Sequence, residues 1–520
     1  MGQSGVRKEI RVGSGGFEFP QIYTENKDKL KRLLNRGRQD LVELSHWSSA
    51  DDFMHYVLGQ KFLEFADLTY PSPRRKTEVP VWFLICAQLI LHIHNRSAYS
   101  ELKTFLKAGT ILSRVGYNVG KAIGFNDKNK YIRKVPCDQD TVRKFFKDSK
   151  AEELRRWFCT ELQHWFLKND AIDTEGVFIA DQSHVVVPEN KHYENAVRMP
   201  VDEYGQLYQG TKEQIQNYKW HPCYTLSVLL NLKSDRRSFH YVGYEFGPGN
   251  EDEFPQAERM LERYVRTCGK GVIKLLILDR GYISGEFINC CKTEYQCDVL
   301  LPLRTDMGQY QDAVALSKLE GVSWEILSDA EEENKRDRGE QFKVSSACTI
   351  LDIDLWDTCK HPLHVTVIKD ETGNHWDTEE THYFVLCSTR AFSSPFQVYQ
   401  HYRLRSRVEE CFRQVKHAWQ LIKFPSPNRS LIEAHIGFIL LTYSLLNLYL
   451  RKTQQSDLVG KFLSTIQKEA MADDDNKTIV SYAENVFGLF SIKEYLQLVC
   501  ALDEEPRQHF LESLKAVNQR

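Results

Sequence analysis

One continuous apolar stretch restricts the fold more than any other feature of this chain. Residues 271–278 read GVIKLLIL, without the polar alternation of a half-exposed strand. Such a run is typical of a parallel strand in a sheet that is covered on both faces. The polar segment DRGY (279–282) follows at once. The stretch therefore predicts an α/β fold with polar residues at the carboxyl end of a buried strand, where open sheets place their sites.

The segments around this strand extend the pattern. Three β-rich runs precede it, at 176–187, 224–232 and 239–247, and an amphipathic stretch at 251–269 predicts a helix that ends at a glycine. A further apolar strand, CDVLLPL, follows at 297–303. Three strands, a helix, a strand, a helix and a strand are the order of an RNase H-like core. We therefore predict an RNase H-like mixed sheet.

The remaining segments suggest how the chain is divided. We predict a helical N-terminal region (1–170), the first part of the core (171–303), a β-rich insertion before the last core helix (304–395), the final core helices (396–450) and a helical C-terminal region (451–520). The longest apolar runs, 81–94 and 435–450, are shorter than the ~20 residues that a membrane span needs. We interpret both as buried helices and expect no membrane association.

Composition excludes some classes of site and leaves others open. The net charge of −3 does not by itself indicate a nucleic-acid partner, but basic residues cluster at 27–38 and 401–423. Such clusters can follow a phosphate backbone, and solvated helix faces are the alternative. The 13 cysteines form no CxxC pair and no zinc-type spacing, which favours reduced thiols in a cytoplasmic protein.

Four polar residues recur at helical spacing in the second basic cluster. Tyr402, Arg405, Glu409 and Lys416 would fall within about 60° of one another on a continuous helix. The cations would keep the carboxylate ionised and could hold phosphates beside it. The pattern predicts one helix face that combines a metal-binding acid with phosphate-binding groups.

The spacing Y-x2-R-x3-E-x6-K resembles the signature of DDE transposases of the insertion-sequence four family, and the resemblance extends over about 173–450. It implies a DNA transposase that cleaves transposon ends and joins them to target DNA by hydrolysis and strand transfer, a cut-and-paste reaction.

The family also requires two earlier acids. Asp279 is followed by Arg280, Gly281 and an aromatic residue, as in the family, and Gly281 would permit a tight turn. Asp181, on the first core strand, supplies the other acid. The competing acids for that position are Asp173, Asp352 and Asp354.

The resemblance implies the cofactor and the DNA contacts. Asp181, Asp279 and Glu409 would hold two Mg²⁺ ions, for which Mn²⁺ would substitute, and these acids would be catalytic. The predicted DNA-binding residues are Tyr402, Arg405, Lys416, Arg280, Arg413 and Tyr383. His184, near Asp181, is either a metal ligand or a locally satisfied histidine.

Relatives that form a DNA hairpin flip a base onto an aromatic side chain of the insertion. Tyr383 is our candidate for this role, and the alternatives are Trp324, Trp356 and Trp376. Each of these rings could instead pack within the insertion itself.

The expected partners are double-stranded DNA, as terminal inverted repeats and target DNA, and a second copy of the chain in a synaptic dimer. The expected location is the prokaryotic cytoplasm, at the nucleoid. The N-terminal region, with its basic stretch 27–38, would recognise the element's ends. Two alternatives stay open: a regulatory DNA-binding protein that has lost catalysis, and a two-metal nuclease that cannot rejoin DNA.

Overall fold

The fold is known from a computed structural model, which divides the chain into two compact units. It describes residues 27–37, 41–46, 49–75, 79–105, 137–202, 207, 215, 218–233, 239–327, 330–353, 357–374, 377–458, 477–483 and 486–518. The central unit is Phe158–Gln414, and the terminal unit combines Met1–Trp157 with Val415–Arg520.

The described elements are helices, strands and a few tighter or wider helical turns. The helices are Lys27–Asn35, Ser49–Gly59, Phe62–Thr69, Val81–Ile93, Leu102–Phe105, Gln139–Asp148, Ala151–Trp157, Gln163–Lys168, Glu253–Cys268, Gly285–Cys290, Gly308–Ser317, Ala330–Asp337, Pro395–Arg403, Ser406–Arg413, Arg429–Lys452, Ile492–Cys500 and Glu504–Asn518. The strands are β1 (Leu41–His46), β2 (Val177–Val186), β3 (Val197–Val201), β4 (Lys219–Leu232), β5 (Phe239–Pro248), β6 (Leu275–Ile277), β7 (Asp298–Pro302), β8 (Glu325–Ile326), β9 (Phe342–Ile353), β10 (Leu363–Asn374), β11 (Asp377–Ser388), β12 (Lys477–Ala483) and β13 (Val486–Ser491). Tight 3-10 turns lie at Tyr99–Glu101, Arg280–Tyr282 and Ser456–Leu458, and π-helical turns lie at Phe158–Leu162, Cys291–Tyr295 and Gln414–Ala418.

A ten-stranded mixed sheet forms the core of the central unit. Its order is β3-β4-β2-β6-β7-β11-β10-β9-β8, and β5 also pairs with β4. Strand β4 runs antiparallel to both β2 and β5, whereas β6 runs parallel to both β2 and β7. The order β5-β4-β2-β6-β7 is consistent with an RNase H-like core, which confirms the predicted fold class.

The helix Glu253–Cys268 covers the part of this sheet that carries the predicted acids. Asp252 begins it by accepting a hydrogen bond from the Phe254 N–H, and Gly269 ends it with a φ of 107°. Its buried face consists of Gln256, Ala257, Met260, Leu261, Tyr264 and Val265. The spacing of these residues is that of an amphipathic helix lying on a sheet.

The strands of the predicted insertion continue the core sheet. Three long strands, β9, β10 and β11, pair antiparallel in sequence order, and β11 pairs with β7 at Leu386–Pro302, Cys387–Leu301 and Ser388–Leu300. The segment is β-rich as predicted, and it also contains the helices Gly308–Ser317 and Ala330–Asp337. Because β11 follows β7 in the sheet, this segment does not form a sheet of its own.

A long buried helix organises the larger part of the terminal unit. In Arg429–Lys452 every residue from Leu431 to Leu450 is buried, and the helix packs against Val81–Ile93 and Ala151–Trp157. It is long and apolar enough to cross a bilayer by composition, but its apolar window is wholly buried inside the protein. Both long apolar runs are therefore buried helices, as predicted.

The two ends of the described chain meet in a small three-stranded sheet. Its order is β1-β12-β13, so the middle and one edge strand come from the C-terminal region. The core beneath it consists of Leu30, Leu34, Phe490, Tyr495, Leu498, Val499 and Leu502. The prediction that 451–520 is helical was therefore wrong for β12 and β13. Both strands are short, and one partner, β1, lies at the opposite end of the sequence.

Candidate active site

The pairing of two parallel strands brings the first two predicted acids together. Strands β2 and β6 are in register, with Ile179 opposite Ile277. Asp181 and Asp279 each lie two residues farther along, Asp181 within β2 and Asp279 just after β6. Their side chains therefore reach the same point at the carboxyl end of β6, as expected for a site in an α/β sheet.

The third acid comes from the segment that carries the four-residue pattern, and this segment is not one continuous helix. Tyr402 lies in the helix Pro395–Arg403, and Glu409 in Ser406–Arg413. Between them the N–H of Arg405 donates to the carbonyl of Tyr402, which is a tighter turn than an α-helix makes. The prediction that the four side chains lie in one regular stripe of a continuous helix was therefore wrong. The tighter turn rotates the residues after it relative to those before it.

Arg405 contacts all three predicted acids. One guanidinium nitrogen, Nη2, lies 2.8 Å from Asp279 Oδ2 and 3.5 Å from Asp181 Oδ2. The other, Nη1, lies 3.1 Å from Glu409 Oε1. The side chains of Asp181 and Arg405 are 10% and 19% exposed, whereas that of Glu409 is 66% exposed. The three carboxylates thus converge on one cation, with Glu409 on the open side.

The two aspartates are oriented in the same way. Oδ1 of Asp181 accepts the N–H of Gln182 at 2.9 Å, and Oδ1 of Asp279 accepts the N–H of Arg280 at 2.7 Å. In each residue the other oxygen, Oδ2, faces Arg405. Backbone donors therefore fix the carboxylates and leave one oxygen of each for a cation.

A second hydrogen-bond network supports Asp181 from behind. The side-chain amide of Gln182 donates to Gln256 Oε1 at 3.1 Å, and the side-chain amide of Gln256 donates to Thr225 Oγ1 at 2.9 Å. Ser227 also donates to Gln256 Oε1, at 2.5 Å. These buried contacts tie β2 and β4 to the helix Glu253–Cys268 and restrict the movement of the acid-bearing strand.

The crowding of negative charge changes the proton affinity of the site. Burial raises the pKa of Asp181 to about 6, with further increases from Asp279 and Glu409, while Arg405 lowers it. Burial would lower the pKa of Arg405, but the carboxylates of Asp181 and Asp279 outweigh this effect and raise it. Burial raises the pKa of Tyr402 to about 12. The site therefore has a deficit of positive charge.

A fourth acid, Glu253, lies near these three and was not predicted from the sequence. Glu253 begins the helix Glu253–Cys268, and its carboxylate lies against Gly281. Burial raises the pKa of Glu253 to about 7, with further increases from Asp181 and Asp279. An acid in the first turn of a helix is the ordinary pattern of a helix start, so the sequence indicated only a cap.

The donor set fits divalent cations that prefer oxygen ligands. Carboxylate oxygens are what Mg²⁺ and Mn²⁺ bind, and the acids already converge on a positively charged group. Among the described residues no three His, Cys, Asp or Glu side chains stand in a metal-ligating arrangement as they are. Arg405 lies where the acids meet, so metal ligation requires the guanidinium to move.

The other predicted basic residues differ in their surroundings. Arg280 is exposed, and its guanidinium forms no hydrogen bond or ion pair with any residue that the structure describes. Arg413 pairs with Glu410 through two contacts of 2.7 and 2.6 Å, and it is not joined to the three acids. Lys416 lies in the π-helical turn Gln414–Ala418 and belongs to the terminal unit. Its role stays a prediction.

The competing acids and the nearby histidine lie elsewhere. Asp173 forms a turn in which its Oδ1 accepts the Glu175 N–H. Asp352 is exposed on β9 and lies 3.9 Å from His364. His184 is an odd number of positions from Asp181 on β2, so strand alternation places it on the opposite face of the sheet. Asp354 lies outside the described residues.

The aromatic candidates are arranged differently from the prediction. Lys318 lies 5.2 Å from the ring centroid of Tyr383, and Lys369 lies 5.1 Å from that of Trp324. The next residue on β11, Phe384, is 39% exposed, and its ring lies 5.5 Å from that of Tyr402. Neighbouring strand residues face opposite sides, so Phe384 rather than Tyr383 faces the site. Trp356 and Trp376 lie outside the described residues.

The three acids lie in a part of the chain that matches a known protein family. A family model described as a transposase DDE domain matches residues 173–445, which is more than half of the chain. The matched range contains Asp181, Asp279 and Glu409. No curated protein matches the chain significantly.

Proposed function

Because the chain belongs to the DDE transposase family, we propose that this DNA transposase cleaves transposon ends and joins them to target DNA by cut-and-paste. The observation that supports the chemistry is the convergence of Asp181, Asp279 and Glu409 on one cation. The Y-R-E-K spacing at 402–416 further supports assignment to the insertion-sequence four family.

Asp181, Asp279 and Glu409 would hold two Mg²⁺ ions, with Mn²⁺ as a substitute. Ions so bound supply activation of water or a DNA 3′-hydroxyl and stabilise the leaving oxygen. The residues themselves position the reacting groups. The backbone-tethered aspartates keep fixed orientations, and Glu409, on the open side, can adapt to the incoming phosphodiester.

Arg405 and its neighbours would bind the DNA backbone. When Arg405 leaves the carboxylates, its guanidinium can make paired hydrogen bonds to a phosphate. Arg280 is exposed beside the site. The Tyr402 hydroxyl is protonated at neutral pH, as tyrosines ordinarily are, and can donate a hydrogen bond to a phosphate. Lys416 and Arg413 complete the proposed set. If a base is flipped during the reaction, Phe384 is a better placed platform than Tyr383.

The proposed partners are the terminal inverted repeats, target DNA and a second copy of the chain. A synaptic dimer would hold both ends of the element. The basic helix Lys27–Asn35 is the proposed end-recognition element, and the proposed location is the prokaryotic nucleoid in the cytoplasm.

The test is an end-cleavage assay with Mg²⁺, on DNA built from the sequences that flank the gene. Glu409→Gln should lose cleavage by more than about 100-fold, since even the outer partners of metal ligands cost about 10–100-fold. Glu410→Gln is the matched control, because Glu410 pairs with Arg413 and not with the cluster. DNA binding, measured with Ca²⁺, should persist in both variants.

The same assay separates the alternatives. Cleavage with joining of the cut end to a second DNA supports transposition, and cleavage without joining indicates a nuclease. Equal cleavage by wild type and Glu409→Gln would exclude Glu409 from the site. Specific binding without cleavage by wild type would favour a regulatory DNA-binding protein.

A further inference from the structure

We propose that Glu253 is a fourth carboxylate of the metal site, and that it binds a divalent cation together with Asp181 and Asp279. This inference rests on the proposed function, and it extends the ligand set beyond the three acids of the sequence pattern.

The position of Glu253 follows from a close approach between two elements. Its Oε1 lies against Gly281, where an added Cβ would overlap the carboxylate. Gly281 is only two residues after Asp279. Its φ is not in the left-handed region, so the backbone does not require glycine there. The segment does form the predicted tight turn, at Arg280–Tyr282. Its glycine is needed for the space that Glu253 occupies and not for a left-handed backbone.

The Glu253 side chain differs from those of Glu251 and Glu245 in having no ion-pair partner among the described residues. Glu251 pairs with Arg259 at 2.5 Å, and the buried Glu245 pairs with Arg263 and Arg259. Glu253 forms no hydrogen bond or ion pair with any residue that the structure describes. A half-buried carboxylate without a partner is unfavourable unless a ligand satisfies it.

A second unpartnered group lies at the same place. Tyr282 is fully buried, and its hydroxyl has no hydrogen-bond partner among the described residues. Burial raises its pKa well above the ordinary value, and the charges of Glu253, Asp181 and Asp279 raise it further. Buried polar groups are normally satisfied, so a metal-bound water or a rotated Glu253 would complete the site.

The charges also agree with four carboxylates. Two divalent ions carry four positive charges, and three carboxylates leave one of these uncompensated. Before a DNA phosphate enters the site, Glu253 can supply this negative charge at the side of the site that Asp181 and Asp279 share. Glu409 remains on the opposite, exposed side.

The test measures the binding of Mn²⁺ to the full chain without DNA. The free ion is quantified from its electron paramagnetic resonance signal. We compare wild type with Glu253→Gln, Asp279→Asn and Glu258→Gln. Glu258 is an exposed acid on the same helix and serves as the matched control. Glutamine keeps the size of Glu253 and removes only its charge. Glu253→Gln should weaken binding about 10-fold or more, and Glu253→Asp should restore part of it.

The outcomes distinguish this inference from the proposed function. If Asp279→Asn weakens Mn²⁺ binding while Glu253→Gln matches wild type, Glu253 is not a ligand and the three-acid site stands. If neither variant changes the binding, or if wild type binds no Mn²⁺, both proposals fail. Equal weakening by Glu253→Gln and Glu258→Gln would indicate a general charge effect and would also overturn the assignment.

Discussion

Burial controls how two acids of the site, Asp181 and Glu253, respond to pH. The pKa of Asp181 is raised to about 6 and that of Glu253 to about 7, in both cases chiefly by burial. A carboxyl group with a raised pKa binds its proton more tightly in the folded protein than in the unfolded chain. Its contribution to stability is therefore present below the ordinary pKa near 4 and is lost as the pH rises through 6 and 7.

We expect the metal-free protein to lose thermal stability between about pH 5 and about pH 8 as these two groups lose their protons. Mg²⁺ should restore more of this stability at pH 8 than at pH 5. Melting temperatures with and without Mg²⁺ at both ends of the range test this. The double variant Asp181→Asn/Glu253→Gln should show a weaker pH dependence and a smaller Mg²⁺ effect. An unchanged pH dependence in the double variant would contradict the assignment.

At the level of residues, the sequence predicted those acids whose position depends on local structure. Asp279 follows a buried apolar strand, and Asp181 follows the apolar residues of another strand, so both could be found. Glu253 could not, because its proximity to Gly281 arises from the packing of a helix against a loop. The contact of Arg405 with the acids was likewise hidden, since it depends on the turn before Glu409.

At the level of elements, one buried ion group links two helices of the terminal unit. Glu433 is fully buried and accepts hydrogen bonds from Arg155 at 2.8 and 3.0 Å and from Arg429 at 3.2 Å. Removing one member of such a group leaves buried charge without compensation. The group therefore fixes the contact between Ala151–Trp157 and the long helix Arg429–Lys452.

Glu433→Ala should lower the free energy of unfolding by about 3–5 kcal/mol. The control is Glu153→Ala, because Glu153 pairs only with the exposed Lys150 and should cost less than about 1 kcal/mol. Urea unfolding followed by circular dichroism measures both variants. Equal losses would show that the buried group does not stabilise the helix contact.

Elements with strong local signals were predicted, and elements that depend on distant partners were not. The runs that became β2, β5, β6 and β7 are apolar enough to indicate strands by themselves. β12 and β13 are short, and their sheet is completed only by β1 from the other end of the chain. The break at Arg405 was also missed, because a helical spacing of side chains does not reveal a tightened turn.

At the level of the whole molecule, the terminal unit contains both ends of the described chain, whereas the central unit is continuous. The helix Lys27–Asn35 buries Leu30 and Leu34 against side chains from the C-terminal region. The proposed end-recognition helix therefore depends on residues more than four hundred positions away.

Leu498→Asp should loosen the packing of the helix Lys27–Asn35. Leu498 belongs to the core that this helix shares with the C-terminal region, and it is only 6% exposed. The control is Leu496→Asp. Leu496 lies on the helix Ile492–Cys500, as Leu498 does, but its side chain is 48% exposed. Trypsin should cut within Lys27–Asn35 faster in Leu498→Asp than in wild type, and at the wild-type rate in Leu496→Asp. Equal rates in all three proteins would show that the C-terminal region does not hold the helix.

The contact between Arg405 and the acids has a consequence for when such an enzyme is active. The guanidinium occupies the meeting point of the carboxylates, and phosphate oxygens compete with those carboxylates for its N–H donors. A DNA strand that draws Arg405 away thereby increases the affinity of the acids for metal. Thermodynamic linkage makes this reciprocal, so bound metal must tighten DNA binding by the same factor. Free protein would then bind metal more weakly than protein on DNA, and the capacity to cut would be greatest on DNA already held in place.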